Sequence, residues 1–289
     1  MSRTSGTSSL TSTTISELEE KSIQYRRDIL RFIMVSCAGH TGGSLSCVDI
    51  INVLYNQVMN VSPDNFASLD RDHYIQSKGH SVEALYVVLA DKGFIDPADL
   101  EAGTRFRSHL IGHPTRKVPG VEHNTGGLGH GLSVAVGLAL AARTDGRESR
   151  TFCLMGDGEL AEGSNWEAAM SASHYELDNL VGIVDRNRLQ ITGDTEDVVR
   201  LEPLAEKWRS FGWEVREADG HDVADLARQL TEAPSSGRPT VILARTLKGK
   251  GVSFIEGNAS WHHRVPTQEE LDRALTELAA AEVALRGGR

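Results

Sequence analysis

The sequence is poor in cysteine, lacks long apolar runs and has no excess of basic residues. Its 289 residues include three cysteines, Cys37, Cys47 and Cys153, which lie in apolar contexts without CxxC spacing. We therefore expect reduced thiols in the protein core and a cytoplasmic location. No apolar stretch is long enough to cross a membrane, so no membrane partner is expected. With 40 acidic and 30 basic residues, the net charge of −10 argues against binding to nucleic acid.

What the chain does contain is an alternation of helical and strand-like patterns. We predict helices at 15–36, 47–55, 81–93, 133–143, 164–177, 222–233 and 267–285, and strands within 71–80 and at 151–155, 180–185, 213–217 and 239–246. Residues 107–131, rich in Gly, Pro and His, are predicted as mostly loop. The alternation predicts an α/β fold with a doubly wound, mainly parallel sheet and helices on both faces. Residues 1–14 are predicted to be a disordered tail, and residues 15–289 a single domain.

An acidic turn, GDGELAEG at 156–163, follows the apolar strand 151–155 and precedes the helix 164–177. Ser164 or Asn165 is the predicted N-cap of that helix. An Asp-Gly pair taken alone is commonly a surface turn. However, α/β proteins place their ligand sites where a parallel strand ends and a helix begins, so the turn is a candidate site.

Asn187 stands just past the next strand, as Asp157 does for the strand before it. The two residues are 30 positions apart (187 − 157), a normal length for a βαβ unit. A right-handed crossover places the two strands side by side or with one strand between them. Carboxylate and amide oxygens at the same sheet edge suit Mg²⁺ or Ca²⁺ rather than Zn²⁺.

A glycine-rich segment, TGGLGHG at 125–131, directly precedes the predicted helix 133–143. Glycines allow the backbone to approach an anion, and the N–H groups at a helix start can bind it. The alternative is that these glycines only relieve crowding. Together with the acidic turn and Asn187, the segment predicts a site for a metal and a phosphate group.

These motifs resemble the transketolase family. GDG followed by Asn after about thirty residues, the length of a βαβ unit, looks like the thiamine-diphosphate-binding motif. The stretches GDGELAEGSNWEAA, TGGLGHGLSVAVGLALA, SKGHSVEALYVVLA, AGHTGGSLS and IGHPTRKVPGVE are all similar to that family. The resemblance spans about residues 15 to 285 and covers only the diphosphate-binding part of a full transketolase. The segment KGKGVSF and a later WH are similar to the N-terminal subunit of two-chain transketolases.

The resemblance implies a role for individual residues. Asp157, Asn187 and the backbone carbonyl of Leu189 would hold Mg²⁺, with Ca²⁺ or Mn²⁺ as alternatives. The residues expected around the thiamine diphosphate are Gly127, Leu128, Gly129, His130, Gly156, Gly158, Glu159 and Ile191. Two of these depart from the family pattern, since His130 stands where Gln is usual and Gly127 where Ser or Pro is usual.

The resemblance also implies a partner chain. Glu162 and Glu167 would lie at a subunit interface, near a glutamate of the partner that protonates the aminopyrimidine of the cofactor. That glutamate belongs to a pyrimidine-binding domain, which we expect on a separate C-terminal subunit. The predicted assembly is α₂β₂, and this chain would supply half of an active site.

Four of the eleven histidines, His40, His80, His113 and His262, fall inside the matching motifs. Each one alone is more commonly a hydrogen-bonded structural histidine. Clustered after glycines, they suit a pocket for a sugar or sugar phosphate, because neutral imidazoles donate and accept hydrogen bonds near neutral pH. The resemblance gives them roles in catalysis and gives His80 and His262 contacts to the cofactor as well. The role of His263 is left open.

The resulting hypothesis is a transferase that moves a two-carbon ketol unit from a ketose to an aldose. One alternative keeps the cofactor in a subunit similar to 1-deoxyxylulose-phosphate synthase or to 2-oxoacid dehydrogenases. Another is a non-catalytic paralogue. The basic run RTLKGKG, residues 245–251, could contact phosphate or form a solvated strand end.

Overall fold

The computed structural model describes residues 11–232 and 237–287. The strands are β1 (His73–Gln76), β2 (Thr151–Gly156), β3 (Leu180–Arg186), β4 (Glu214–Asp219) and β5 (Thr240–Arg245). The α-helices are α1 (Ser12–Ser36), α2 (Thr41–Val53), α3 (Val82–Asp91), α4 (Pro97–Ala102), α5 (Gly131–Thr144), α6 (Gly163–His174), α7 (Thr195–Val198), α8 (Leu204–Ser210), α9 (Val223–Thr231) and α10 (Gln268–Gly287). A π-helical turn, Leu54–Val58, follows α2, and short 3-10 helices lie at Pro63–Asn65, Gly79–Ser81, Gly158–Ala161 and Ala259–Trp261.

The strands form one parallel sheet in the order β1-β2-β3-β5-β4. Successive side chains of β2 alternate between two hydrophobic clusters, with Phe152 and Leu154 in one and Cys153 and Met155 in the other. The first cluster also contains residues of α1, α2, α3, α9 and α10, and the second contains residues of α5, α6 and α8. The predicted doubly wound α/β fold with helices on both faces is therefore confirmed.

The strand register brings the predicted ligands to one edge of the sheet. β2 and β3 are neighbours, and Gly156 at the end of β2 pairs with Asp185 in β3. Asp157 and Asn187 therefore both stand just beyond the carboxyl ends of adjacent strands, as their spacing predicts.

The start of α2 differs from the prediction. α2 begins at Thr41 rather than at residue 47, because Gly42 and Gly43 are part of its first turn. A Cβ at Gly42 would lie 2.8 Å from the carbonyl oxygen of Trp261, so glycine is required by close packing and does not break the helix. Every residue of α2 is buried, which removes the amphipathic pattern that would have marked its start.

The N-cap of α6 is Glu162, and the prediction of Ser164 or Asn165 is wrong. Both polar side chains bind other backbone segments instead. The Ser164 hydroxyl donates to the carbonyl of Gly129 at 2.8 Å, and the Asn165 amide donates to that of Glu159 at 2.7 Å.

The start of α1 and the burial of the cysteines can also be compared with the predictions. α1 begins at Ser12, ahead of the predicted start at residue 15, while residues 1–10 of the predicted tail lie outside the described residues. The boundary between the tail and the domain stays a prediction.

Cys47 and Cys153 are buried as expected, but Cys37 is exposed at the end of α1, so the prediction of a core thiol is wrong there. In the described ranges, no helix combines the length and apolarity needed to cross a membrane.

Candidate active site

A cavity of about 440 Å³ opens at the carboxyl ends of β2 and β3. It is lined by eleven of the predicted site residues, which are His40, His80, Leu128, Gly156, Asp157, Gly158, Glu159, Asn187, Leu189, Ile191 and His262. Gly43, Lys78, Gly126, Gln190, Thr192 and Lys248 also line it and had not been assigned individual roles from the sequence. One pocket therefore brings together residues that the chain places more than 200 positions apart (262 − 40 = 222).

Asp157 is one of two buried acids that line this cavity, with 2% of its surface exposed. Its Oδ1 accepts a hydrogen bond from the N–H of Gly158 at 2.8 Å. Its Oδ2 accepts from the N–H of Arg188 at 2.5 Å and from the Arg186 guanidinium at 3.2 Å. Burial and the nearby Asp185 raise the pKa of this carboxyl, and these hydrogen bonds oppose the rise.

Asn187 is oriented so that its oxygen lies beside Leu189. Its amide nitrogen donates to Ser46 and Asp185, each at 3.2 Å, while its Oδ1 accepts from the Leu189 N–H at 3.0 Å. The carbonyl oxygen of Leu189 in turn accepts from the Lys248 ammonium at 3.0 Å. One carboxylate, one amide oxygen and one backbone carbonyl thus line the same cavity.

This oxygen donor set fits a hard divalent cation such as Mg²⁺, which keeps positions for phosphate oxygens and water. The ammonium on the carbonyl of Leu189 shows that a cation is accepted there. Within residues 11–232 and 237–287, no three His, Cys, Asp or Glu side chains are placed to hold one metal ion together. The donor set described above consists of oxygens rather than the sulfur and nitrogen ligands typical of structural zinc sites.

Glu159 connects the glycine-rich segment to the end of β2. Its carboxylate accepts hydrogen bonds from the N–H groups of Gly129 at 2.9 Å and Gly156 at 3.0 Å, and from the Ser77 hydroxyl. Burial raises the pKa of this carboxyl, and the three hydrogen bonds oppose that rise. We call Asp157, Glu159, Asn187 and Leu189 the metal floor.

The backbone around the metal floor fits a phosphate cradle that has little room for side chains. Gly129 has a φ of 84°, and a Cβ there would lie 2.6 Å from the Cβ of Glu162. At Gly158 a Cβ would lie 2.8 Å from the Cγ of Gln190. The amide nitrogen of Gln190 is buried and has no hydrogen-bond partner among the described residues, so it is a donor available to a ligand in the cavity.

Not all of the glycine-rich segment reaches the cavity. Gly127, Gly129 and His130 do not line it, although Gly126 and Leu128 do. Gly127 and His130, the two departures from the family pattern, lie outside the cavity lining, while Gly129 is buried.

Lys78, which lines the cavity, forms a buried ion pair with Asp185, and sequence reasoning missed it. The ammonium also donates to the carbonyl of Gly43 at 3.3 Å, and Asp185 also accepts from the hydroxyls of Ser46 and Thr246. Burial opposes ionisation of Asp185, but the lysine and these hydrogen bonds hold its pKa below the usual range. The signal in the sequence was limited to a lysine two residues past the end of the short strand β1.

The four predicted histidines converge above the metal floor, and we call them the histidine wall. The ring of His40 lies 5.2 Å from that of His80, 6.2 Å from that of His113 and 5.5 Å from that of His262, measured between ring centroids. The rings of His80 and His262 stack at 5.4 Å.

The histidine wall is neutral near neutral pH. Burial, with smaller contributions from neighbouring cations and imidazoles, lowers the pKa of His40 to about 4 and that of His262 to about 3. The same causes lower the pKa of His80 well below its usual range, and burial lowers that of His113. Each ring therefore has one donor and one acceptor nitrogen.

A smaller cavity of about 170 Å³ continues from His40 and is lined by His113 and His263. The ring of His263 lies 4.5 Å from that of His40, which adds a fifth histidine to the cluster. Behind them, the buried Glu83 accepts hydrogen bonds from the N–H of His40 at 3.1 Å and from the Ser44 hydroxyl at 2.7 Å.

The basic run 245–251 divides into buried and exposed lysines. Lys248 is 2% exposed and contacts Nδ1 of His262 at 2.8 Å, whereas the side chain of Lys250 is 40% exposed. Burial and the nearby Lys78 lower the pKa of Lys248 to about 8. A protonated ammonium only donates, so Nδ1 of His262 accepts and its Nε2 carries the proton.

Glu162 and Glu167 lie outside the cavity, Glu162 at the N-cap of α6 and Glu167 within that helix. Met170, on the same helix, is 55% exposed. Near the mouth of the cavity, Ile191 is 70% exposed. Glu162 is exposed as well, so this side of the molecule is accessible from outside the chain.

Comparisons with known proteins agree with this geometry. A family model described as the transketolase thiamine diphosphate binding domain matches residues 21–281. The chain is 47% identical to one subunit of the apulose-4-phosphate transketolase of Phocaeicola vulgatus, over 92% of this chain and 95% of that protein. It is 48% identical to the protein of the same name from Actinobacillus succinogenes, over 91% of this chain and 96% of that protein. A 6-deoxy-6-sulfo-D-fructose transketolase subunit of a Clostridium species is 41% identical, over 83% of this chain and 88% of that protein.

Among solved structures, the transketolase of Campylobacter jejuni superposes with a TM-score of 0.85 at 29% identity. The match covers 93% of this chain but 45% of that protein, so the chain spans less than half of the solved enzyme. The family model and the subunit-length relatives together settle the family. This chain belongs to the transketolases, the thiamine-diphosphate-dependent ketol transferases, as an N-terminal subunit.

Proposed function

We propose that this chain and a separate pyrimidine-domain subunit transfer a two-carbon ketol unit from an anionic ketose to an aldose, with thiamine diphosphate and Mg²⁺. The observation that carries the proposal is one cavity lined both by the metal floor and by His40, His80 and His262 of the histidine wall. The arrangement suits a reaction in which a charged cofactor and a polyhydroxylated substrate meet.

The metal floor would bind the charged end of the cofactor. Asp157, Asn187 and the carbonyl of Leu189 would hold Mg²⁺, and Gly156 and Gly158 would let the backbone approach the diphosphate. When bound, the cofactor supplies a stabilised carbanion that takes up the two-carbon unit.

The histidine wall would orient the sugar and handle its protons. A neutral imidazole can donate to a carbonyl or hydroxyl oxygen from one nitrogen and accept a proton at the other. Because its Nδ1 accepts from Lys248, His262 would act as a donor through Nε2. Depressed pKa values keep the wall in this neutral form at physiological pH.

The partner chain would approach the side of the molecule that carries α6. Both Glu162 and Glu167 belong to this side and would meet a carboxyl group of the partner across the interface. Exposed apolar residues, including Met170 and Ile191, would be buried by a second chain. The word subunit in the names of three relatives supports a partner chain, and an α₂β₂ assembly is our proposal.

The relatives also suggest the substrate. Two of them are named for apulose-4-phosphate and one for a sulfonated fructose. We infer a ketose with an anionic end, and apulose-4-phosphate is the first substrate to test. The histidine wall and these names favour ketol transfer over a decarboxylating reaction, and the complete oxygen donor set argues against a non-catalytic paralogue.

The test is co-expression with the pyrimidine-domain partner, whose expected length is about 300 residues by the usual size of one or two domains. We expect ketol transfer that requires both chains, Mg²⁺ and thiamine diphosphate. Glu162→Gln should lower kcat about a hundredfold or more, because a group that takes part in proton transfer typically contributes at least that much to the rate. Robust activity of this chain alone would contradict the half-site proposal, and a reconstituted pair that fails to bind the cofactor would contradict the function.

A further inference from the structure

The smaller cavity of about 170 Å³ beside His40 has no role in the proposed function, and we call it the side cavity. His40 lines both this cavity and the main one, so a ligand that contacts His40 lies next to the side cavity. A buried cavity needs only about 10–15 Å³ to hold one water molecule. The side cavity therefore has room for a substituent of several atoms.

Glu83 gives the side cavity a buried acid whose hydrogen-bond donors are neutral. This residue is 2% exposed, and its carboxyl accepts from the N–H of His40 at 3.1 Å and from the Ser44 hydroxyl at 2.7 Å. Burial raises the pKa of this carboxyl. A carboxylate has about four lone-pair positions, so Glu83 keeps hydrogen-bonding capacity for a ligand.

The rest of the lining suits an uncharged group that contains both carbon and oxygen. Thr104 and His113 add hydrogen-bonding side chains, whereas Phe32 and Ile111 are apolar. A phosphate or sulfonate placed there would lie beside the buried acid Glu83, and a buried anion is costly without an opposite charge. A hydroxymethyl group would instead place its carbon against the apolar side chains and its hydroxyl near the carboxyl.

The loop that borders the side cavity is held in place by Tyr86. The hydroxyl of this buried side chain donates to the carbonyl oxygens of Ile111 at 3.0 Å and His113 at 3.3 Å. Gly112, between these two residues, lines the side cavity. A Cβ on Gly112 would have no described atom within 4 Å, so a side chain can be introduced there without displacing its neighbours.

The chemistry of ketol transfer indicates which part of a sugar would enter the side cavity. When the C2–C3 bond of the ketose breaks, its electron pair stays with the two-carbon unit, and C3 becomes a carbonyl carbon as its hydroxyl loses a proton. In the proposed function a neutral imidazole of the histidine wall accepts that proton, so C3 lies beside the wall. A linear ketose carries a hydrogen as the remaining substituent of C3. A ketose that is branched at C3 carries a carbon there and needs space next to the wall.

We propose that the side cavity is a subsite for a hydroxymethyl branch on C3 of the donor ketose, with the Glu83 carboxyl as the acceptor for the branch hydroxyl. The inference rests on the proposed function and names its substrate class, a branched ketose phosphate. The branch stays on the departing fragment, which is then a ketone, whereas a linear donor leaves an aldehyde.

The test compares two donors in the reconstituted pair, erythrulose 4-phosphate and its derivative with a hydroxymethyl group on C3. We expect the wild type to prefer the branched sugar in kcat/KM. Gly112→Leu should fill the side cavity and lower kcat/KM for the branched sugar about tenfold to a hundredfold, the usual discrimination by one carbon, mainly through KM. The linear sugar should change less than about twofold, because its C3 carries only a hydrogen at this position.

Glu83→Gln tests the hydrogen bond rather than the space. Its amide oxygen can still accept from the N–H of His40, so the position of His40 and the rate with the linear sugar should be kept. The branched sugar should lose about fivefold to tenfold in kcat/KM, because a neutral hydrogen bond replaces a charge-assisted one.

Gly287→Leu is the matched control for the added side chain. Gly287 is the last residue of α10, and a Cβ there also has no described atom within 4 Å. This variant should use both sugars like the wild type. Thermal unfolding shows whether Gly112→Leu is folded, and if it is not, Glu83→Gln decides.

Three outcomes would overturn the proposal. They are a wild type that uses the linear sugar as well as the branched one, an unchanged preference in both variants, and equal losses for the two sugars in Glu83→Gln. Equal losses would show that Glu83 acts only through His40. A wild type that transfers from the linear sugar alone rejects this inference but keeps the proposed function, whereas no transfer from any ketose phosphate rejects both.

Discussion

In the metal floor every ligand oxygen already accepts a hydrogen bond from an N–H group or an ammonium, whereas the rings of the histidine wall mainly contact one another. Among the described residues, His262 is the one wall histidine whose ring has a hydrogen-bond partner. The floor is thus preorganised for a ligand of fixed geometry. The wall keeps donors and acceptors free for hydroxyl groups whose positions change during a reaction. The two sides of one cavity therefore differ in how strongly the protein itself constrains them.

The largest effect is expected in the floor, from Asp157→Asn. Loss of a metal ligand should weaken Mg²⁺-dependent binding of thiamine diphosphate by more than about a hundredfold. Mutation of a residue that only hydrogen-bonds to a metal ligand typically costs up to about a hundredfold in metal affinity, and loss of the ligand itself should cost more. Arg186 keeps its pairs with Glu196 at 2.9 Å and Glu202 at 2.8 Å, so the fold should survive. Calorimetry in Mg²⁺ measures the effect, with Glu206→Gln, outside the cavity, as a control. Wild-type affinity in Asp157→Asn would show that the floor is not a metal site.

The wall should respond in turnover rather than in cofactor binding. We expect His40→Asn to lower kcat/KM for the ketose about tenfold to a hundredfold, because one substrate hydrogen bond is lost, with cofactor affinity unchanged. Steady-state kinetics of the reconstituted pair and a parallel binding titration separate the two effects. His123→Asn, at an exposed histidine outside the cavity, should behave like the wild type. A matching loss of cofactor affinity in His40→Asn would assign this histidine to the floor.

A smaller effect should follow from Glu159→Gln, which tests whether the floor is held together by its hydrogen bonds. The amide NH₂ would face an N–H of Gly129 or Gly156, so one hydrogen bond is lost inside the protein. The free energy of unfolding should fall by about 1–3 kcal/mol, measured by urea denaturation. An unchanged stability would show that the carboxyl is already protonated in the wild type.

The smallest effect is the pH response of the wall. In the unfolded chain His40 takes up a proton near its ordinary pKa of 6.5, but in the folded protein only near about 4. The unfolded state therefore gains protons first as the pH falls, and stability is lost between about pH 6.5 and about pH 4.

The pH response is measured as the loss of Tm between about pH 7 and about pH 5. His40→Asn should lose less Tm than the wild type, by at most about 4 °C for a domain of this size, reduced by the partial exposure of the ring. Other groups around His40 also titrate, and the buried Glu83, with its raised pKa, acts in the opposite direction. Only the difference between the two proteins therefore reports on the wall, and equal losses would contradict the depressed pKa of His40.

Much of the floor could be predicted because its signals are local. The apolar strand before Asp157 and the βαβ spacing to Asn187 required no knowledge of distant contacts, since adjacent parallel strands end at one edge. The starts of α2 and α6 were harder to predict. Gly42 packs against Trp261, and Ser164 binds Gly129, and both partners are remote in the sequence.

The sequence by itself thus determined the strand and helix alternation, the parallel sheet and the acidic edge, because periodicity and spacing constrain the backbone locally. Only the tertiary structure decided which cations enter the site. Lys78 pairs with Asp185 across 107 residues, and Lys248 meets Leu189 across 59. Such pairings depend on how strands and loops are brought together, since a lysine in a loop has the same local pattern whether it is solvated or buried. The difference between Lys248 and Lys250, two residues apart, is therefore a consequence of packing alone.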